Sequence, residues 1–142
     1  TSRSYGTDKN GNTLFLTLQA TSEGIRAYDS NQWIKLLDNI DKISEKNLII
    51  TINRPLMGSG GFTDKLEAQL LHDNFVKLAN QDKNVFVVQS AYTTKVELRD
   101  GVRYMYLDNS PVDNFDKLSN YGYIEFVLNS NGISYQLIKP YE

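Results

Sequence analysis

The segment Asn47-Leu48-Ile49-Ile50-Thr51-Ile52-Asn53-Arg54-Pro55 is almost continuously apolar from Leu48 to Ile52 and rich in β-branched residues. A strand covered on both faces needs that composition, so the segment predicts a central, parallel strand. Arg54-Pro55 stops it, because proline has no N–H for the ladder. Before it, Asp29-Ser30-Asn31-Gln32 has capping-box spacing, with Asp29 as cap and Gln32 reaching back. Trp33, Leu36, Leu37, Ile40 and Ile43 follow at helical spacing on one face. Earlier still, Leu14, Leu16 and Leu18 alternate with Phe15, Thr17 and Gln19, a strand period. After it, Met57-Gly58-Ser59-Gly60-Gly61 reads as a flexible connection, and Thr63 or Asp64 caps a second helix. Ala68, Leu71, Phe75 and Leu78 form the buried face of that helix, and Val85-Phe86-Val87-Val88 is a second apolar strand. The spacing is that of βαβ units.

Beyond Ser90 the pattern becomes antiparallel. Val96 and Leu98 lie on one side of Arg99-Asp100-Gly101, and Val102, Tyr104 and Tyr106 on the other. A three-residue turn with Gly101 left-handed pairs Leu98 with Val102 and Glu97 with Arg103, keeping both faces consistent. A two-residue Asp-Gly turn would set charges beside apolar residues. Asp108 to Ser119 reads as loop with one helical turn. Tyr123 to Asn129 and Ile133 to Lys139 flank Asn131-Gly132, a strong hairpin signal that sets Leu128 across from Tyr135 and Phe126 across from Leu137. The expected architecture is an α/β (α+β) layered domain with a mixed sheet, β-α-β-α-β followed by two antiparallel hairpins. Residues 1–142 form one domain, with a polar N-terminal segment at 1–12, the βαβαβ part at 13–90 and the hairpins at 91–142. In open sheets of this kind ligands sit at the carboxyl ends of the parallel strands. Those ends are Asn53 to Gly61 and Gln89 to Thr93.

Composition narrows the chemistry. The 142 residues include 15 Lys and Arg against 17 Asp and Glu, a net charge of −2, with no cysteine and one histidine. Disulfides, thiolate metal sites and cysteine nucleophiles are excluded, as is any site needing two histidines. The acidic balance argues against a nucleic-acid grip, which needs a basic stripe. No run of about eighteen apolar residues occurs, so no membrane span is expected. Residues 1–12 contain no signal-peptide core, and the opening Thr1 suggests an excised fragment or a mature product.

The helix entered through Gln32-Trp33, the strand ending Asn53-Arg54-Pro55, the strand ending Ser90-Ala91-Tyr92-Thr93 and the following Asp100-Gly101-Val102-Arg103-Tyr104 are similar to the second half of calcineurin-like metallophosphoesterases. The nearest resemblance is to such domains in large secreted or cell-surface proteins of Gram-positive bacteria, and it spans about residues 13 to 138. In that family the first strand ends in His-x-Pro-Pro and the second in Gly-His-x-His. Asn53 stands at the first motif's histidine, and Ser90-Ala91-Tyr92-Thr93 at the second motif, so the metal-binding histidines are replaced. The family's Asp-x-His, Gly-Asp-x-x-Asp and Gly-Asn-His-Glu motifs have no counterpart. A two-metal phosphoesterase mechanism requires imidazole and carboxylate ligands. The resemblance therefore implies a degenerate, non-catalytic module of a larger bacterial surface or secreted protein, acting in scaffolding, adhesion or wall association. The alternative it implies is the C-terminal half of a metal-dependent phosphoesterase whose metal-binding N-terminal half lies outside this chain. An extracellular or cell-surface location follows from the resemblance alone.

No catalytic residue, metal ligand or cofactor is expected. Asn53, Arg54 and Tyr92 are the candidate ligand-binding residues: Arg54 can hold an anion bidentately, and an aromatic such as Tyr92 can stack a sugar or peptide. The expected partners are the rest of the parent polypeptide and a cell-wall or glycan ligand; a homodimer by strand exchange would follow from an exposed sheet edge. His72 reads as a structural or surface histidine. Gly58-Ser59-Gly60-Gly61 lacks the lysine and spacing of a P-loop, and Asp108 with Asp113 lacks EF-hand spacing. The tyrosines at 92, 104, 106, 121, 123 and 135 read first as packing residues of pleated surfaces.

Overall fold

A computed structural model describes residues 5–108, 119–129 and 132–141. In chain order its elements are β1 (Tyr5–Asn10), β2 (Thr13–Leu18), α1 (Ile25–Tyr28), α2 (Asn31–Ile40), β3 (Asn47–Ile52), α3 (Lys65–Ala79), β4 (Asn84–Ala91), β5 (Lys95–Arg99), β6 (Val102–Asp108), β7 (Tyr123–Asn129) and β8 (Gly132–Ile138). The first six strands form one mixed sheet in the order β1-β2-β3-β4-β6-β5. Strands β2, β3, β4 and β6 are parallel, while β1 and β5 close the two edges antiparallel. Strand β3 lies inside the sheet, parallel to both neighbours, as its composition requires.

Helices cover one face. Leu16, Leu18, Leu48, Ile50, Val85, Val87 and Tyr104 pack there against Leu36 and Ile40 of α2 and Leu71, Phe75 and Leu78 of α3. The β7–β8 hairpin covers the other face, where Ile49, Phe86 and Met105 are buried beneath Phe126, Ile133 and Tyr135. Phe86 is the pivot of this second core. It meets Phe126 and Tyr135 edge-on at centroid distances of 5.3 and 5.8 Å, a favoured aromatic geometry. Layering and strand order thus agree with a mixed α+β architecture.

Several local expectations are corrected. Residues 5–10 of the polar N-terminal segment form an edge strand, turned by Gly11 at φ 60°. Helix α2 starts after Ser30, while the Asp29 carboxylate accepts the Asn31 N–H and Gln32 turns inward. The buried stripe of α2 is Gln32, Leu36 and Ile40, so Leu37 is exposed. Of the two caps expected for α3, Thr63 or Asp64, it is Asp64 that accepts the Glu67 N–H, at 3.1 Å.

Both hairpin registers differ from expectation. Arg99 pairs with Val102 across a two-residue Asp100-Gly101 turn, both residues at positive φ (53° and 85°), which suits the strand twist. Glu97 therefore faces Tyr104 and Leu98 faces Arg103. The charges are tolerated because β5 is an edge strand: the Lys95 ammonium lies 4.8 Å from the Tyr106 ring centre and the Arg99 guanidinium 5.7 Å from that of Tyr104. In the last hairpin Leu128 faces Ile133 and Phe126 faces Tyr135. That register is two residues from the expected one and so preserves every side chain's face. The expected turn residue Asn131 and the expected loop from 109 to 118 lie outside the described residues.

One buried carboxylate ties the helical layer together. Glu67 Oε1 accepts the Arg26 N–H at 2.8 Å and the Trp33 indole N–H at 2.5 Å, joining α3 to α1 and α2. Gly24, at φ 156° and ψ −166°, passes directly over this carboxyl group. A Cβ there would collide with it, lying 2.7 Å from Glu67 Cδ. Gly24→Ala is expected to lower the unfolding free energy by roughly 2–4 kcal/mol, from backbone strain plus overpacking. Urea denaturation of the variant measures it, and an unchanged midpoint would contradict this packing.

At the amino-terminal end of the sheet, the Lys9 ammonium sits 2.7 Å from the buried Glu45 carboxylate. That hydrogen bond holds the Glu45 carboxyl below its ordinary value of 4.5. A depressed folded pKa contributes stability that is full above 4.5 and is lost as the pH falls through the folded value. Lys9→Met should flatten part of the acid-side fall in stability while leaving the neutral-to-alkaline profile unchanged in shape. Denaturation midpoints across an acid pH series test this.

Candidate functional site at the carboxyl ends of the parallel strands

Strands β3 and β4 are adjacent and in register to Ile52 opposite Gln89, so their carboxyl tips emerge together. The structure brings all three candidate residues, Asn53, Arg54 and Tyr92, to one cleft of about 240 Å³, completed by Pro55, Gly60 and Ser90. A second cleft of about 340 Å³ adjoins it through Ala91 and Tyr92. Its walls are the Met57–Ser59 segment and the Lys95, Glu97 and Arg99 side of β5, with Tyr106 between them.

The three candidates do different things. Asn53 is committed to the fold: its Oδ1 accepts the Ala20 N–H at 2.7 Å and its Nδ2 donates to the Ala20 carbonyl at 2.9 Å. This pair of hydrogen bonds extends the link between β2 and β3 beyond the end of their ladder. Arg54 is half-buried and has no hydrogen bond or ion pair among the described residues. Tyr92 is 66% exposed. Its ring rests on Gly60, where a Cβ would come within 2.7 Å of Tyr92 Cε2 at a backbone φ of 78°. Only glycine supports the ring at that distance, since any other residue would add both the clash and left-handed strain.

Buried polar groups hold the rim of both clefts. Gln89 is wholly buried and its Oε1 accepts the Leu56 N–H at 2.8 Å, fixing the path of the chain after β3. Gln89 Nε2, beside Tyr106 in the β4–β6 register, has no hydrogen-bond partner among the described residues. The segment then folds on itself through Gly61 N–H to the Gly58 carbonyl and Phe62 N–H to the Leu56 carbonyl, each 3.0 Å. On the other side the Thr94 hydroxyl donates to the Asn120 carbonyl and accepts the Asp108 N–H, pinning the β4–β5 connection.

Electrostatics in the second cleft centre on Glu97. Arg99 Nη2 donates to Glu97 at 3.0 Å and Nη1 contacts Met57 Sδ at 2.7 Å, while Lys95 Nζ is 3.8 Å from Glu97. The Arg99 hydrogen bond depresses the Glu97 carboxyl and raises the guanidinium in turn. Burial raises the Tyr106 phenol, so it stays protonated. The lining thus carries two cations against one carboxylate, with Arg54 a third cation across Tyr92.

His72 lies elsewhere. It is buried in α3, with Nδ1 2.5 Å from the Tyr104 hydroxyl and Nε2 2.8 Å from Asp100. With the proton on Nε2, the imidazole donates to Asp100 and accepts from the phenol. Burial holds Tyr104 in its protonated form, and neither ring lines a cleft at the strand ends. The triad therefore ties α3 to the β5–β6 turn, the structural role expected of this histidine.

Among the described residues no three His, Asp or Glu side chains converge as a cation site. Asp113, half of the acidic pair considered for calcium, lies outside them. Lys95, Arg99 and Tyr106 were not among the expected site residues. Their signal was the Asp100-Gly101 dipeptide, whose two-residue turn puts the charges of β5 beside the tyrosines of β6. No family model, curated protein or solved structure matches the chain.

Asn53→Ala removes both bonds to Ala20 and leaves a peptide group without its partner. The expected loss is about 1–3 kcal/mol of stability, read from the shift of the urea midpoint. Asn53→Asp keeps the acceptor alone and should lie between the two. A neutral Asn53→Ala would mean that the amide is not holding the strand tip.

Proposed function

We propose that this chain is a non-catalytic binding module of a larger extracellular or cell-surface protein, built like a degenerate half of a metallophosphoesterase and serving scaffolding, adhesion or wall association. One observation carries the reading. Both polar atoms of Asn53, the residue standing where the resembled family has a metal-ligating histidine, are spent on the Ala20 backbone. The tip of the neighbouring strand supplies Ala91, Tyr92 and Thr93, which bring no imidazole or carboxylate to a divalent ion. What the tips do offer is a guanidinium without a hydrogen-bond or ion-pair partner among the described residues and an exposed aromatic ring at the mouth of two clefts, a combination suited to recognition rather than bond cleavage.

The test is turnover of bis(4-nitrophenyl) phosphate in the presence of manganese, with metal content measured after gel filtration. The expected results are a rate equal to the metal-only blank and substoichiometric metal. Turnover above that blank, abolished by Asn53→Ala, would replace this reading with the phosphoesterase one.

A further inference from the structure

Tyr92 stands between the two clefts at the strand ends, and each cleft has a cation on its own side of the ring. Arg54 lines the smaller one and has no ion-pair partner among the described residues. Lys95 lines the larger one, 54% exposed in its side chain and only loosely held by Glu97 at 3.8 Å. Arg99 is bound more tightly to the same carboxylate, so Lys95, which rests over the Tyr106 ring, is the cation of this cleft less closely neutralised. The ring lies against the backbone of the 58–61 turn. Gly60 lies under one part of it, and the rest is open to solvent.

We infer that this double cleft binds an acidic saccharide laid over the Tyr92 ring, with anionic substituents reaching Arg54 on one side and Lys95 on the other. The chemistry of the lining selects this class. A planar ring held at the surface offers a face to the C–H side of a sugar and an edge to nothing, while its hydroxyl stays wet. Guanidinium recognises a carboxylate or phosphate through paired N–H donors, and ammonium recognises either as a point charge. A neutral sugar would leave Arg54 half-buried with no counter-charge among the described residues. A simple anion would leave Tyr92 unused. The clefts are also open to solvent and mix polar with apolar lining, which suits an extended chain rather than an enclosed small molecule. The charge is local: the whole chain is net negative at −2, so attraction of a polyanion depends on these side chains and not on the protein's overall field.

This inference rests on the binding-module reading and deepens it by naming the ligand class. Its test uses isothermal titration of the full chain with three probes: an oligouronide hexamer, a phosphorylated mannan fragment of similar length, and neutral maltohexaose. The expected result is saturable binding of at least one acidic probe, weakened by added salt, and none of maltohexaose. Arg54→Gln and Lys95→Gln should each weaken binding roughly tenfold or more. Tyr92→Ala should weaken it by a similar factor, and Tyr92→Phe should restore it. Which acidic probe binds separates carboxylate from phosphate recognition. Equal affinity for maltohexaose, no heat with either acidic probe, or binding indifferent to salt and to Lys95→Gln would overturn the inference. Lys95 and Tyr92 are exposed, so their variants should keep the parent's melting curve, and a variant that does not is replaced by the salt dependence of the parent protein. None of these failures produces phosphodiester turnover, so the saccharide inference and the non-catalytic reading fail separately.

Discussion

Burial of β3 and β4 on both faces is the constraint from which the rest follows. A parallel strand with apolar side chains on each side is stable only between two covering layers. Helices α2 and α3 supply one layer through Leu36, Ile40, Leu71, Phe75 and Leu78, and the β7–β8 hairpin supplies the other through Phe126, Ile133 and Tyr135. The crossovers place both helices on the same face, which frees the opposite face for the hairpin. The β3–β4 ladder stops at Ile52 and Gln89 while β4 stays paired with β6 as far as Ala91, so the two strands leave the sheet close together, and the clefts lie there.

Polar groups near this exit are divided between holding the fold and facing solvent. Asn53 and Gln89 point their amides at backbone groups of Ala20 and Leu56, and each bond fixes the direction in which a loop departs. Gln32 does similar work one layer deeper, its Nε2 donating to the Gln19 and Ile25 carbonyls at 2.8 and 2.9 Å. Side-chain amides bonded to backbone groups in this way specify geometry strongly. Arg54, Tyr92 and Lys95 have the opposite character: they add nothing obvious to the core and their reactive surfaces are accessible. The division explains how a strand tip can look like a ligand site in sequence and yet present only part of its residues to a ligand.

The central elements were legible because their signals are strong and redundant. Continuous β-branched runs at Leu48–Ile52 and Val85–Val88, with amphipathic segments between them, admit few alternatives to a parallel core. Edge strand β1 was not legible, since its residues Thr7 to Asn10 are polar and exposed and it exists through pairing with β2 rather than through burial. The β5–β6 register was misjudged for a related reason. Matching apolar with apolar across the turn assumes two covered faces, whereas an edge strand can set Lys95 and Arg99 on tyrosine rings. The candidate site was half legible. Position along the fold identifies Asn53, Arg54 and Tyr92, but the commitment of Asn53 depends on a hydrogen bond to the distant Ala20 that no local pattern encodes, and the arrival of Lys95 on the two-residue reading of Asp100-Gly101.

The glycine beneath Tyr92 has an evolutionary consequence. Exposed positions such as Ser59 and Thr93 lie beyond the last rungs of the ladder, so substitutions there can accumulate with little penalty to the scaffold that carries them. Such decoupling lets a lineage exchange one recognition surface for another while the layered frame persists. The ring at position 92 is the exception: its seat requires position 60 to stay without a side chain, so the two sites are bound to drift together.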